Sequence, residues 1–304
     1  MLTIGSRGSQ LALWQARWIQ ARLAALGHET RIEIIHTTGD RITDVPLAKV
    51  GSKGLFTKEI EEALLRGDID LAVHSMKDMP TEIPAGLAIA AVPEREDPRD
   101  AIVGARLGEL RHGARVGTSS LRRSAQLRAL RPDLLIESIR GNVDTRLRKV
   151  EESSFDAIVL AAAGLRRLGL EQRIAEVLDP EVMCPAVGQG ALAVETRSDA
   201  GLAWKVCGQL DHPETRATVT AERAVLARLG GGCQVPIGAH ARLDGATLNI
   251  DAVVVAPEGD AIVRLSASGG VSDAQSIGEA LGGDLLNAGG REILEAVYGG
   301  AAHE

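Results

Sequence analysis

Leu2-Thr3-Ile4-Gly5-Ser6-Arg7-Gly8-Ser9 is the stretch on which the fold turns. Leu2–Gly5 is short, apolar and β-branched, and reads as a strand. A polar turn rich in glycine and hydroxyls follows, and Ser9 is placed to cap a helix running to about Leu26, stopped by Gly27. A strand that passes through a polar turn into a helix opens a βα unit. Outward from it, Arg31–Thr37 alternates in the manner of a strand. Thr38–Gly54 is a polar loop longer than most connections, which suits a lid. Thr57–Arg66 is a helix with Glu59, Glu61 and Glu62 near its positive end, and Ile69–His74 is an apolar strand. The sum is a βαβαβ unit with a parallel sheet.

The pattern then recurs. Ala114–Gly117 reads as a strand, Ser120–Leu130 as a helix, Leu134–Ser138 as a strand, Asn142–Glu152 as a helix and Asp156–Ala161 as a strand. Two such units predict two similar α/β lobes with mainly parallel sheets. The charged, proline-bounded stretch Pro93–Asp100 reads as the linker between them. Gly190–Thr196 is again strand-like and is read as crossing back to the first lobe. Beyond it, Pro213–Leu229 is a long helix ended by three glycines. Ile237–Leu243, Thr247–Ala256 and Ala261–Ser268 are strands joined by hairpin turns, and Ser272-Asp273-Ala274-Gln275 has the look of a capping box opening a final helical region. The expected division is a discontinuous first lobe at 1–93 and 190–210, a second lobe at 99–186, and a small C-terminal α+β domain at 213–304 with a three-stranded antiparallel sheet.

The 304 residues are 45% hydrophobic and 25% charged, a globular balance that excludes collagen, coiled coil and bulk disorder. No apolar run is long enough to span a membrane. The first residues show no basic segment followed by a hydrophobic core, and three cysteines are too few for a disulfide scaffold, so a cytoplasmic setting is expected. Aromatics are only 2%, which leaves few base-stacking platforms and argues against a nucleic-acid partner. The net charge of −7 is unevenly spread: residues 211–304 carry 6 Arg against 13 Asp and Glu, while residues 115–149 carry nine basic groups against three acids. An acidic tail domain therefore conceals a locally basic region.

Ligands of open α/β sheets sit beyond the carboxyl ends of the strands, at helix N-termini. Those positions hold Ser6-Arg7-Gly8-Ser9, Ser75-Met76-Lys77-Asp78, Gly117-Thr118-Ser119-Ser120-Leu121-Arg122-Arg123, Arg140-Gly141-Asn142 with Arg146, and Gly164-Leu165-Arg166-Arg167. Every one offers a cation. The convergence predicts a cleft for anions, carboxylates above all, since guanidinium groups bind them bidentately. No phosphate loop or GxGxxG follows a strand, so a nucleotide is weakly supported. Asp78 is the one acid among these ends; it is read either as a carboxylate that handles a proton or offsets a cation, or as a turn cap. His74 faces the parallel choice between packed core residue and catalyst. Cys233 lies in Gly230-Gly231-Gly232-Cys233-Gln234-Val235-Pro236, a loop from which a thiol can reach into a cleft; it is read either as a nucleophile or attachment point or as an ordinary structural cysteine, whereas Cys184 and Cys207 read as small core residues. The seven histidines are scattered, and no metal site is expected.

A set of longer motifs adds to this: Leu11-Ala12-Leu13-Trp14-Gln15-Ala16, Pro46–Gly51 with Lys53-Gly54-Leu55-Phe56, Val73–Asp78, Glu94–Asp100, Val116–Arg123, Arg140-Gly141-Asn142-Val143, Pro185–Gly190 and Gly231–Gly238. On these, from Gly5 to Leu294, the sequence resembles the porphobilinogen deaminase family. The resemblance implies an enzyme that joins four porphobilinogen molecules head to tail with loss of ammonia, and then releases hydroxymethylbilane by hydrolysis. It implies a dipyrromethane cofactor bonded through a thioether to Cys233, with Ser75, Lys77, Thr118, Ser120, Arg122, Arg123 and Arg140 around that cofactor. Asp78 takes the position of the family's catalytic aspartate. Arg7, Ser9, Lys49, Lys53, Phe56, Arg146 and Arg167 fall on substrate-binding positions. It also implies a monomer, and two lobes similar to those of periplasmic binding proteins. The rival reading from the residues alone is a non-catalytic two-lobe binder of small carboxylate anions.

Overall fold

The computed structural model describes residues 1–41, 57–231 and 235–300. In chain order the elements are β1 (Leu2–Ser6), α1 (Gln10–Ala25), β2 (Thr30–Ile34), α2 (Thr38–Arg41), α3 (Lys58–Arg66), β3 (Leu71–Ser75), β4 (Leu87–Ala91) and β5 (Asp100–Gly104). They continue with β6 (Arg115–Gly117), α4 (Leu121–Leu130), β7 (Leu135–Glu137), α5 (Val143–Glu151), β8 (Ala157–Ala161), α6 (Ala162–Arg167) and β9 (Ile174–Val177). The last are β10 (Leu192–Arg197), α7 (Leu202–Gly208), α8 (Pro213–Arg228), β11 (Ile237–Asp244), β12 (Thr247–Val255), β13 (Ile262–Gly270), α9 (Ala274–Leu285) and α10 (Arg291–Gly300). They form two compact units: Met1–Glu96 with Gly190–Arg216, and Asp97–Gln189 with Ala217–Glu304.

The first unit holds a five-stranded sheet in the order β2-β1-β3-β10-β4. β1 pairs in parallel with β2 and β3, while β10 runs antiparallel to both β3 and β4. The side-chain alternation of a strand explains how both faces are covered. On β3, Leu71 and Val73 join Ile4, Ala16, Ile19 and Leu23 under α1, while Ala72 faces Ile60, Ala63 and Leu64 of α3. The buried stripe Ala16, Ile19, Leu23 on α1 follows helical spacing. The Ser9 hydroxyl accepts from the Ala12 N–H at 3.3 Å, as the sequence reading required. The strand read at Gly190–Thr196 is β10, and it does complete this sheet.

The second unit repeats the arrangement. Its sheet runs β7-β6-β8-β5-β9, with β6 parallel to β7 and β8, and with β5 antiparallel to β8 and β9. In both sheets four strands run one way and one runs against them. This unit also contains the predicted antiparallel meander β11-β12-β13, whose inner face packs with α8 and α9 residues such as Val225 and Leu281. The outer face of β12 presents Val253 and Val255 to Ala125 of α4 and to Cys184. At Gly238 the close approach is severe: a Cβ there would lie 2.9 Å from the Cys184 carbonyl oxygen.

Three strands were not read from the sequence. β4, β9 and β5 are short, and β5 begins at Asp100, inside what looked like the last residue of a linker. The capping box also fails. A 3₁₀ turn at Val271–Asp273 leads into α9, so Ser272 sits inside that turn, and Asp273 at the cap makes no side-chain cap bond. Of the predicted lid, Thr38–Arg41 forms the short helix α2, and residues 42–54 lie outside the described residues.

Candidate functional site

In the first unit the parallel strands β1 and β3 end side by side. The turn after β1 places Arg7, half-buried, and Ser9 at the start of α1. β3 ends at Ser75, whose hydroxyl accepts from Gln15 Nε2 at 2.9 Å, which ties the strand end to α1. The chain then tightens into a 3₁₀ turn, Met76–Asp78. Met76 is buried and its N–H donates to the Ala191 carbonyl at 3.0 Å, anchoring the turn at the edge of β10. Lys77 is half-buried and Asp78 is exposed. One residue before Ser75 on the same strand, His74 is not presented at this edge. It is buried, with Nε2–H donating to Glu195 Oε2 at 3.1 Å, which decides for the packed reading of that residue. Lys49, Lys53 and Phe56 lie outside the described residues.

In the second unit, the ends of β6, β7 and β8 gather the other predicted residues. Thr118 is buried, and its Oγ1 accepts from the Ser120 N–H at 3.2 Å. Ser120 occupies the N-cap of α4 in an extended conformation but its side chain makes no cap bond. Arg122 and Arg123 were expected to be presented to a ligand; instead both are buried, 3% and 7% exposed, against a residue the sequence reading passed over. Asp100 Oδ2 accepts from Arg122 Nη1 at 2.7 Å, and Oδ1 accepts from Arg123 Nη2 and Nε at 2.7 and 3.0 Å. Gln189 Nε2 adds a bond of 2.8 Å to the same Oδ1 and one of 2.6 Å to the Pro98 carbonyl. Burial alone would push the Asp100 carboxyl up, but the two guanidinium charges and their hydrogen bonds outweigh it and hold the group far below the usual carboxylate range. Nothing in the local sequence signals this role, because the partners of Asp100 lie 22, 23 and 89 residues away.

Arg140 and Arg146 are the more open cations of this edge. Asn142 caps α5 by accepting from the Thr145 N–H, and the Arg146 Nε–H donates to the Gly141 carbonyl at 2.8 Å. Burial, and then the neighbouring charges of Arg123 and Arg140, push Arg146 down to about 10. Arg167 is buried on α6, while Arg166 pairs with Asp97 at 3.0 Å. Burial is the larger cause and the two neighbouring cations add to it, and an anionic substituent bound at this edge would offset both.

Cys233 lies outside the described residues. The other two thiols are buried, and burial pushes each of them up to about 12, as suits inert packing groups. The buried Glu222 carboxylate accepts from the N–H groups of Gly188 and Ala241 at 2.7 and 2.8 Å, a tie between α8, β11 and the segment carrying Gln189 that sequence reasoning also missed. Among the described residues no group of three or more His, Cys, Asp or Glu is arranged to hold a metal ion, and no helix is long and apolar enough to cross a membrane.

The fold and these edges define a class: an α/β protein whose paired sheets end their parallel strands in hydroxyls and cations suited to small anions. Residues 2–203 match the domain described as "Porphobilinogen deaminase, dipyromethane cofactor binding domain", and residues 216–287 match "Porphobilinogen deaminase, C-terminal domain". Porphobilinogen deaminase of Pelobacter propionicus is 54% identical over 98% of this chain and 97% of its own length. That of Syntrophobacter fumaroxidans is 51% identical over 98% of each, and that of Roseiflexus castenholzii 53% identical over 96% of this chain and 98% of its own. The chain belongs to the porphobilinogen deaminase family. Among solved structures, a periplasmic substrate-binding protein of an ABC transporter from Coxiella burnetii overlaps 73% of this chain and 97% of its own at a TM-score of 0.41 and 13% identity, a likeness too loose to carry an inference.

Proposed function

We propose that this member of the porphobilinogen deaminase family is a transferase that joins four porphobilinogen molecules head to tail, expels ammonia at each joining, and frees the linear tetrapyrrole by hydrolysis. The observation that carries the reading is the gathering of hydroxyls and cations, Thr118, Ser120, Arg140 and Arg146, just past the carboxyl ends of β6 and β7. Every pyrrole unit of such a chain bears an acetate and a propionate, and guanidinium groups in excess of local acids are what that cargo needs. The same excess, with the uncapped α4 N-terminus at Ser120 and the hydroxyl of Thr118, fits a dipyrromethane. That cofactor, held through a thioether by Cys233, supplies the pyrrole carbon to which the first substrate is joined.

The roles of this chain's residues follow from their chemistry. Arg140 and Arg146 bind carboxylates, and Arg122 and Arg123 hold the same edge positive from beneath, their geometry set by Asp100. Arg7, Ser9, Lys49, Lys53 and Arg167 bind substrate carboxylates, and Phe56 lies against a pyrrole ring. Ser75 and Lys77 steady the ligand beside Asp78. The exposed Asp78 carboxylate accepts hydrogen bonds from pyrrole N–H groups and offsets the positive charge that develops as the amine leaves. We further read the C-terminal residues 213–304 as a domain of its own, the enzyme as a monomer, and its setting as the cytoplasm, with porphobilinogen as its partner and neither nucleic acid nor membrane.

The test is the intact mass of the purified protein. The expected result is an excess equal to a dipyrromethane, lost together with turnover in Cys233→Ser. An unmodified mass for wild-type protein made in cells that synthesise porphobilinogen would overturn the reading.

A further inference from the structure

One backbone carbonyl of the second unit, that of Cys184, is gripped from two sides. From α4, Arg122 Nη1 donates to it at 2.6 Å and Gln126 Nε2 at 3.1 Å. Gln126 Oε1 also accepts from the Cys184 N–H at 2.8 Å. The side-chain amide of Gln126 therefore exchanges both bonds with Cys184, as a residue on a neighbouring strand would. From β11, Gly238 closes on the same oxygen and leaves no room for a Cβ, while Val253 and Val255 of β12 pack on the Cys184 side chain. The Ala239 N–H continues this tie one residue on, donating to the Pro185 carbonyl at 3.1 Å. Gln126 and Cys184 are both buried, so removing the amide strands a donor and an acceptor at once.

The two adjacent arginines of α4 depend on this carbonyl to different degrees. Arg123 is held through all three of its nitrogens. Its Nε and Nη2 donate to Asp100, Nη2 also reaches Gln189 Oε1 at 3.4 Å, and Nη1 donates to the Val159 carbonyl at 3.2 Å. Both side-chain hydrogen bonds of Arg122 leave from Nη1, one to Asp100 Oδ2 at 2.7 Å and one to the Cys184 carbonyl. Its Nε is buried with no hydrogen-bond partner among the described residues. A guanidinium fork gains its fixed orientation when several of its donors meet acceptors together. Held through one nitrogen, the Arg122 group keeps its place only while both acceptors keep theirs. Asp100 is fixed by Arg123 and Gln189. The Cys184 carbonyl is fixed by Gln126.

Gln126 stands one helical turn beyond Arg122, so the two side chains rise from the same face of α4 and meet at one oxygen. Gln126 Nε2 also donates to the Arg122 carbonyl at 3.3 Å, which ties the amide to the helix that carries the arginine. We propose that Gln126 is a positioning residue for Arg122: it fixes the Cys184 carbonyl against α4, and through that carbonyl it seats the Arg122 guanidinium. The proposal rests on the reading of this edge as the site for cofactor and substrate carboxylates.

The test follows hydrogen exchange of the Arg122 Nε–H in the cofactor-loaded full chain, with the Arg123 Nε–H as the internal reference. Gln126→Met keeps the reach of the side chain and removes both bonds to Cys184. In this variant exchange at Arg122 should quicken by roughly tenfold, the scale of one net hydrogen bond, while Arg123 stays within about twofold. The KM for porphobilinogen should rise by roughly fivefold to tenfold with kcat within about twofold, since the seat serves binding. Gly238→Ala presses on the same oxygen from the β11 side and should loosen Arg122 with the same selectivity. Equal quickening at both arginines, or at neither, overturns the positioning role, because general loosening frees both. An unchanged KM in Gln126→Met beside a raised one in Arg122→Lys also overturns it. An unchanged KM in both, with Arg122 selectively loosened, confirms the seat and instead removes Arg122 from the carboxylate site. Should Gln126→Met not fold, the wild-type chain decides. The Cys184 N–H and the Arg122 Nε–H should become exchangeable in one opening, with one dependence on urea, that Arg123 does not share. Separate openings overturn the proposal.

Discussion

The two five-stranded sheets share one strand order, and each buries an acid beside its third parallel strand or exposes one after it, yet they treat that acid in opposite ways. In the first unit Asp78 stands exposed on a short turn after β3. In the second, Asp100 pairs in register with Ala161 at the end of β8, is wholly buried, and is bonded to Arg122, Arg123 and Gln189. The same topology thus yields one carboxylate exposed at a strand end and one buried against the cations it holds. The difference lies in hydration: an exposed acid can respond to charge forming nearby, whereas a buried one has its partners chosen in advance.

The sharpest way to break this contrast is to neutralise both acids. Asp78→Asn should leave the unfolding midpoint in place and reduce kcat by roughly 10²- to 10⁴-fold, the scale of a lost acid–base or charge-stabilising group; unchanged turnover would remove Asp78 from the chemistry. Asp100→Ala should act first on folding. It strands two buried guanidinium groups, at a cost of about 3–5 kcal/mol, read by urea unfolding. That cost has a sign in pH. A carboxyl held below its ordinary value of 3.8 gives stability above that value and loses it as the pH falls toward the folded one, so wild type and variant should converge in acid.

A finer contrast concerns the helix starts. Ser9 caps α1 with its side chain, and Ser120 at the start of α4 does not. Ser9→Ala should cost about 1 kcal/mol of stability, whereas Ser120→Ala should stay within about 0.5 kcal/mol and show itself in the KM for porphobilinogen instead. The smallest effect is expected at the buried thiols. With Cys184 and Cys207 pushed up to about 12, alkylating reagents at neutral pH should spare both in the folded protein, and mass spectrometry of the labelled peptides reads this directly.

These contrasts were legible in the sequence to different depths. Strand, turn and helix at Leu2–Ala25 could be read because cap, stripe and stop signal lie within one local pattern. The edge residues could be read because strand ends announce themselves by hydroxyls and cations. Asp100 could not, since a charged stretch between prolines looks like a linker, and only long-range partners turn its last residue into the first of a strand. β4 and β9 are short runs whose strand character comes from sheet neighbours distant in sequence, which pattern reading does not weigh. His74 and Glu195 come from separate elements, and only the β3–β10 register brings them together.

The strand order carries a consequence for how the protein is made. β10 lies between β3 and β4, so the sheet of the first unit lacks an interior strand until the whole of Asp97–Gln189 has been synthesised. At about 5–20 residues per second, that interval lasts roughly 5–20 s, during which β3 and β4 each wait with an open edge. The second unit's sheet has no such delay, because its antiparallel strand β5 emerges before β6–β9. The lobe that leaves the ribosome first is therefore the later of the two sheets to close.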